Sequence, residues 1–174
     1  IGEIHECCPD VHIQAFTAVE IEHLSQIAKL PVRQTLKILK EAGLGSLPGG
    51  GAEVFSPKIR EQLCPEKLSG EGWLQVMREA HNLGLHSNAT MLYGHVETPE
   101  DRINHLIKLR ELQDETGGFM SFIPLAFHPK NTDLSNRFGT TAMLDLKVIS
   151  ISRLMLDNFD HIKAFWIMLG IKLS

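Results

Sequence analysis

Long apolar runs, clustered cysteines and an excess of positive charge are all missing from these 174 residues. No stretch approaches the ~20 consecutive apolar residues that cross a bilayer, and no secretory leader is visible. No membrane partner is expected. The net charge is −4 and the pI is near 6.1, so no basic surface argues for a nucleic acid or an anionic lipid. The three cysteines, Cys7, Cys8 and Cys64, are odd in number and irregularly spaced. That pattern excludes a disulfide framework and fits a reducing cytoplasm. Adjacent residues such as Cys7 and Cys8 seldom aim two thiolates at one tetrahedral ion, so no metal ligand is assigned. The nine histidines are scattered, without HExxH, HxH or a Cys/His finger.

What is present is an ordinary globular composition, 43% hydrophobic with a mean hydropathy near zero. The chain opens on an amphipathic segment, "IGEIHECCPD". It then alternates between two textures. "VHIQAFTAVEI" (11–21) reads as a strand and loop, rich in β-branched residues. "LPVRQTLKILKEAG" reads as a helix, with Pro31 in its first turn and Gly43 as its stop. "GSLPGG" is a short strand. A helix capped by Ser69 carries Trp73, Val76, Met77, Ala80 and Leu83 on one face. "HSNATMLYG" (86–94) is the next strand. Thr98, Pro99 and Asp101 open a helix with a capping-box start, and its Ile103, Leu106, Ile107 and Leu109 should face a core. "FMSFIPLAFHP" (119–129) is a strand, "LDLKVISISRLMLDN" a helix, and "HIKAFWIML" a closing strand.

Repeated strand–loop–helix units imply an α/β fold with a parallel sheet and helices outside it. About five strands make an incomplete (β/α) barrel, whose full form takes about 250 residues; the alternative is an open doubly wound sheet. The barrel is preferred because every strand ends in a polar or glycine-bearing segment, and such ends meet at the C-terminal rim. Gln14, Thr17 and Glu20 close the first strand. Gly49, Gly50, Gly51 and Glu53 follow the second, then Asn88, Thr90, Tyr93, Gly94, His95 and Glu97 the third, and Phe127, His128 and Asn131 the fourth. Any one of these can simply cap a helix and face water. Four such ends together argue for a site.

The triple glycine in "SLPGGGAEVF" costs backbone entropy and needs a reason. No Lys-Ser/Thr follows, so it is not a phosphate loop. A dinucleotide fingerprint would open a helix directly, and a slack linker would not sit between Leu47 and Val54. Close backbone approach to a ligand remains, with Glu53 beside it to accept hydrogen bonds.

The blocks "PGGGAE", "SNATMLYGHVET", "RELQDETGGF" and "IPLAFHP" strongly resemble the aminofutalosine synthases, a family of radical S-adenosylmethionine (SAM) enzymes of menaquinone biosynthesis by the futalosine route. The resemblance runs through nearly the whole chain. The dehypoxanthine futalosine cyclases and deazaflavin-cofactor synthases share its general plan. The resemblance implies a radical SAM barrel, bound S-adenosylmethionine and a [4Fe–4S] cluster. It also implies an electron donor such as flavodoxin or ferredoxin. The implied reaction adds a 5′-deoxyadenosyl radical to 3-[(1-carboxyvinyl)oxy]benzoate and yields aminodeoxyfutalosine. It assigns Gly49, Gly50, Gly51, Glu53, Asn88, Thr90, Gly94 and Glu97 to the cofactor. Substrate contacts fall to Gln14, Thr17, His95, Arg102 and His128, with His128 the candidate catalytic group.

One departure is large. The family holds its cluster on a CxxxCxxC loop, and none occurs here. Residues 1–174 are therefore expected to be the central and later part of a single barrel domain, with its cluster-binding segment and C-terminal end lying outside. Alone, this piece should be inactive and should leave a sheet edge unpaired. A radical SAM enzyme like the dehypoxanthine futalosine cyclases, or a SAM- or nucleoside-binding module without catalysis, are the alternative readings of the same residues.

Overall fold

The structure, a computed structural model, describes residues 1–135 and 138–171. Its elements are α1 (Gly2–Cys7), α2 (Ala18–Ala28), α3 (Val32–Glu41), β1 (Ser46–Leu47), α4 (Pro57–Leu63) and α5 (Gly70–Asn82). They continue with β2 (His86–Tyr93), α6 (Pro99–Thr116), β3 (Phe119–Ala126), α7 (Ala142–Met155), β4 (His161–Ile162) and α8 (Trp166–Leu169). The four strands form one parallel sheet in the order β1-β2-β3-β4. A doubly wound sheet reverses direction at a switch point. This sheet does not, so it is compatible with a sector of a barrel.

Three expectations are corrected. Residues 11–21 are not a strand: Gln14 makes a single parallel bridge to Ser46, and the chain then turns into α2. Thr17 and Glu20 close a reciprocal capping box there, the Glu20 carboxylate accepting from Thr17 N at 2.7 Å. Hydrogen bonds from Thr17 hold the Glu20 carboxyl below its usual range. The TxxE signature of a helix start was present in "TAVE", and it outweighs the local β-branched content. The closing segment 161–169 pairs only through His161–Ile162 before α8 begins; a short apolar run does not separate strand from helix by periodicity. Helix α4, with Pro57 in its first turn, had no place in the sequence reading. Of the expected apolar face of α6, Leu106 and Leu109 are buried but Ile107 is exposed, and Leu112 is buried instead.

Strand alternation separates the two faces of the sheet. Ser87 meets His81 of α5, Met91 meets α6 and α7, and Tyr93 donates to Asp145 of α7. Leu47 sits level with Ser87 in the sheet. Against this face Trp73, Phe119 and Phe159 stack with ring centroids 6.1 and 5.3 Å apart. A bulge at Ser87/Asn88 shifts the register, so that Asn88 pairs with Ser121 and Thr90 with Ile123. Asn88, Thr90 and Leu92 therefore lie on the opposite face, beside Ser121, Ile123 and Leu125.

Two histidines are sealed into the helix layer. His81 bonds Thr116 Oγ1 and Ser87 Oγ at 2.7 and 2.8 Å, and burial pushes its pKa down to about 4. His105 stacks on Phe55, donates to the Thr90 carbonyl, and is pushed by burial down to about 3. Unfolding frees both to protonate near 6.5. Below that pH the unfolded chain binds protons that the folded chain refuses, so stability falls with falling pH, by up to about 1.4 kcal/mol per unit and group. Urea midpoints should drop between pH 6.5 and about 4. His81→Gln should make that drop shallower by close to one proton.

Candidate functional site

The sheet's polar face is built from short side chains. Asn88 Oδ1 accepts from Ser121 Oγ at 2.7 Å, and Thr90 Oγ1 donates to the Gly49 carbonyl at 2.6 Å. Gln14 Nε2 donates to Ser46 Oγ at 3.0 Å. Asn88 and Thr90 are each 9% exposed, and the Asn88 amide N–H₂ makes no hydrogen bond among the described residues. That leaves a donor pair turned toward the open face.

The glycine run after β1 has a packing reason at each position. A Cβ on Gly49 would stand 2.8 Å from the Asn88 carbonyl oxygen. Gly51 has φ +83 and faces Val19, whereas a Cβ on Gly50 would meet only the Thr17 methyl, at 3.0 Å. The loop's carbonyls are held from behind. Trp73 Nε1 donates to Gly50 O at 3.1 Å. The Arg60 guanidinium, 5% exposed, donates to Gly51 O, Ala52 O, Val54 O and Leu68 O. Leu92 N donates to Glu53 O, which ties the loop to β2. The Glu53 carboxylate, its side chain only 19% exposed, pairs with Lys67 at 2.9 Å.

The loop after β2 is organised by Glu97, whose side chain is 1% exposed. One carboxylate oxygen accepts from Gly94 N at 2.7 Å and from Arg102 Nη1 at 2.5 Å; the other accepts from His95 N at 2.8 Å. Gly94 has φ +88 and faces Thr140. His95 uses both ring nitrogens locally, Nε2–H donating to Leu92 O and Nδ1 accepting from Val96 N. Burial lowers its pKa, with Glu97 opposing, so the ring is neutral. After β3, His128 is exposed and its Nε2 lies 3.0 Å from the Met168 carbonyl oxygen.

Thus Gly49, Asn88 and Thr90 come into direct contact, Gly50 and Thr17 pack together, and Gly94, His95, Glu97 and Arg102 form one hydrogen-bonded loop. Gln14 is exposed beside Ser46. His128 shares only the C-terminal end of the sheet with them. Tyr93 points the other way, toward Asp145, and both burial and that bond raise its pKa. Sequence reasoning missed Arg60, Ser121 and Asp145. A glycine loop's carbonyls need donors, and that requirement was the available signal for Arg60.

No group of three His, Cys, Asp or Glu among the described residues could hold a metal ion. Cys7 and Cys8 are exposed, and Cys64 is buried, its thiol pushed up by that burial. These three do not fit a cluster-ligating set. Gly49→Ala should cost about 1–3 kcal/mol through its clash with β2 backbone, and Gly50→Ala clearly less. Arg60→Met should cost at least the worth of one charge-assisted bond, about 1.5–3 kcal/mol. Chemical denaturation of the three variants checks the ranking.

Residues 116–174 match the family described as CofH/MqnC C-terminal region. The aminodeoxyfutalosine synthase of Thermus thermophilus is 53% identical over 170 residues, 95% of this chain and 46% of that protein. The 5-amino-6-(D-ribitylamino)uracil–L-tyrosine 4-hydroxyphenyl transferase 1 of Methanosarcina mazei is 42% identical over 173 residues, again 95% of this chain and 46% of that protein. The like-named transferase of Methanopyrus kandleri is 38% identical over 179 residues, all of this chain and 48% of that protein. The chain spans about half the length of the curated relatives it matches. Nearly the whole chain is thus similar to about half of aminodeoxyfutalosine synthase, and residues 116–174 match the CofH/MqnC C-terminal region.

Proposed function

We propose that this chain is part of the barrel of a radical SAM enzyme of the aminodeoxyfutalosine synthase type. The observation that carries the reading is the 53% identity to that synthase over 95% of the chain. The reaction joins the 5′-deoxyadenosyl group of S-adenosylmethionine to the enolpyruvyl double bond of 3-[(1-carboxyvinyl)oxy]benzoate, releasing methionine and, with water, a carboxyl group as bicarbonate. The iron–sulfur cluster that opens such chemistry needs cysteines that this chain does not supply, and an electron donor such as flavodoxin or ferredoxin.

The chain's own residues bind and orient. The donors and acceptors around Asn88, Ser121, Thr90 and Gly49 suit the hydroxyls and ring nitrogens of a nucleoside. The rigid Gly49–Glu53 loop, held by Arg60, supplies its wall. Glu97 acts by fixing the Gly94–His95 backbone, with Arg102 as its counter-ion. His128, exposed after β3, would give up its contact with the Met168 carbonyl to turn toward an anionic substrate. A preorganised rim that excludes water protects a radical, while the cofactor carries the hard chemistry.

The 42% identity to a transferase named for L-tyrosine and 5-amino-6-(D-ribitylamino)uracil supports a second reading, in which L-tyrosine donates the aryl group and the ribitylaminouracil accepts it. The complete protein, reconstituted with iron under anaerobic conditions, should convert 3-[(1-carboxyvinyl)oxy]benzoate to aminodeoxyfutalosine, and the 174-residue chain alone should not. Turnover only with L-tyrosine and 5-amino-6-(D-ribitylamino)uracil would replace the first reading by the second. In the complete protein Asn88→Ala should weaken S-adenosylmethionine binding about tenfold, the worth of roughly one hydrogen bond, with calorimetry as the readout.

A further inference from the structure

A cavity of about 300 Å³ opens between α6 and α7, behind the sheet and away from the polar face. Its floor is Met91 of β2, and Ile103, Leu106, Val148 and Ile151 supply apolar walls. Three polar groups break that lining. Ser152 is fully buried, yet its Oγ has no hydrogen-bond partner. Buried hydroxyls are normally paired, so an orphan there calls for an explanation. Lys147 is exposed and makes no ion pair among the described residues. Arg102 spends Nη1 on Glu97, and no other bond of its guanidinium is made among the described residues. A pocket of this size, mostly apolar with a few convergent polar groups, has the make-up of a small-molecule site.

We propose that this cavity binds a small amphipathic carboxylate, its apolar body between α6 and α7 and its head group on Lys147 and Arg102. The charge decides the class. Lys147 is a cation without an ion pair among the described residues, and although Glu97 already balances the Arg102 charge, the unused donors of that guanidinium suit a planar carboxylate. The walls take an aliphatic or aryl body, and the Ser152 hydroxyl offers a donor or acceptor inside. The site is separate from the proposed nucleoside face, because Met91 and Asn88 point to opposite sides of β2. It does lie behind the loop after β2, since Arg102 is the partner of Glu97.

Octanoate is the probe, titrated calorimetrically into the full chain, with octan-1-ol and acetate as controls. Octanoate should bind at least tenfold more tightly than octanol, and acetate should not bind. Lys147→Met, an exposed and tolerable change, should remove most of the octanoate preference while leaving octanol unaffected. Ile151→Glu, at a position 41% exposed, should abolish octanoate binding by placing a like charge at the wall. Equal affinity for octanoate and octanol would overturn the carboxylate assignment. Undiminished octanoate binding in Ile151→Glu would place the ligand elsewhere and overturn the site.

Discussion

The register between β2 and β3 decides what every other part of this molecule can do. Both strands are eight residues long and run parallel, so a single slip would exchange the buried and open faces of each. The bulge at Ser87/Asn88 fixes the outcome. On one side of it Ser87 and Phe119 face the helices, where His81 holds the serine and Trp73 and Phe159 hold the ring. On the other side Asn88 meets Ser121. A bulge that re-aims side chains beside a functional face is a recurrent device. Here it sets Ser121 beside Asn88, so that the open face of an otherwise apolar strand pair carries polar groups.

Two buried ionic groups then shape the rim without facing it. Arg60 gathers carbonyls of the segment after β1, and Glu97 gathers amides of the segment after β2. The division of labour follows from charge. A cation satisfies a loop rich in carbonyls, and an anion satisfies a loop that presents N–H groups. The glycines permit both turns, but the conformation is held by charge-assisted bonds from behind. Motif residues that look like ligand contacts, Glu97 and His95 above all, are thereby occupied in building the loop.

Sequence legibility divides along the line between local and non-local causes. β2, β3 and α6 were legible because their signals are contiguous: short apolar runs, and Thr98, Pro99 and Asp101 at a helix start. The helix after Thr17 was written just as locally, but the β-branched residues before it drew the reading toward a strand. Arg60 was legible only as a need of the glycine loop's carbonyls for donors, because its pairing with that loop and with Leu68 is fixed only once α4 folds back. The glycine run was read as a bare floor for a ligand. β2, Thr17 and Val19 occupy the space that a Cβ would need, which gives the glycines a packing reason beside the expected backbone approach to a ligand.

Whether the Asn88–Thr90 face and the Gly49–Glu53 loop form a nucleoside-binding surface is tested most directly by an anaerobic crystal structure of the complete protein with S-adenosylmethionine. The nucleoside should lie over this face, with the Asn88 amide or the loop's backbone within hydrogen-bond distance of it. A nucleoside bound elsewhere, with Asn88 still bonded only to Ser121, would contradict it.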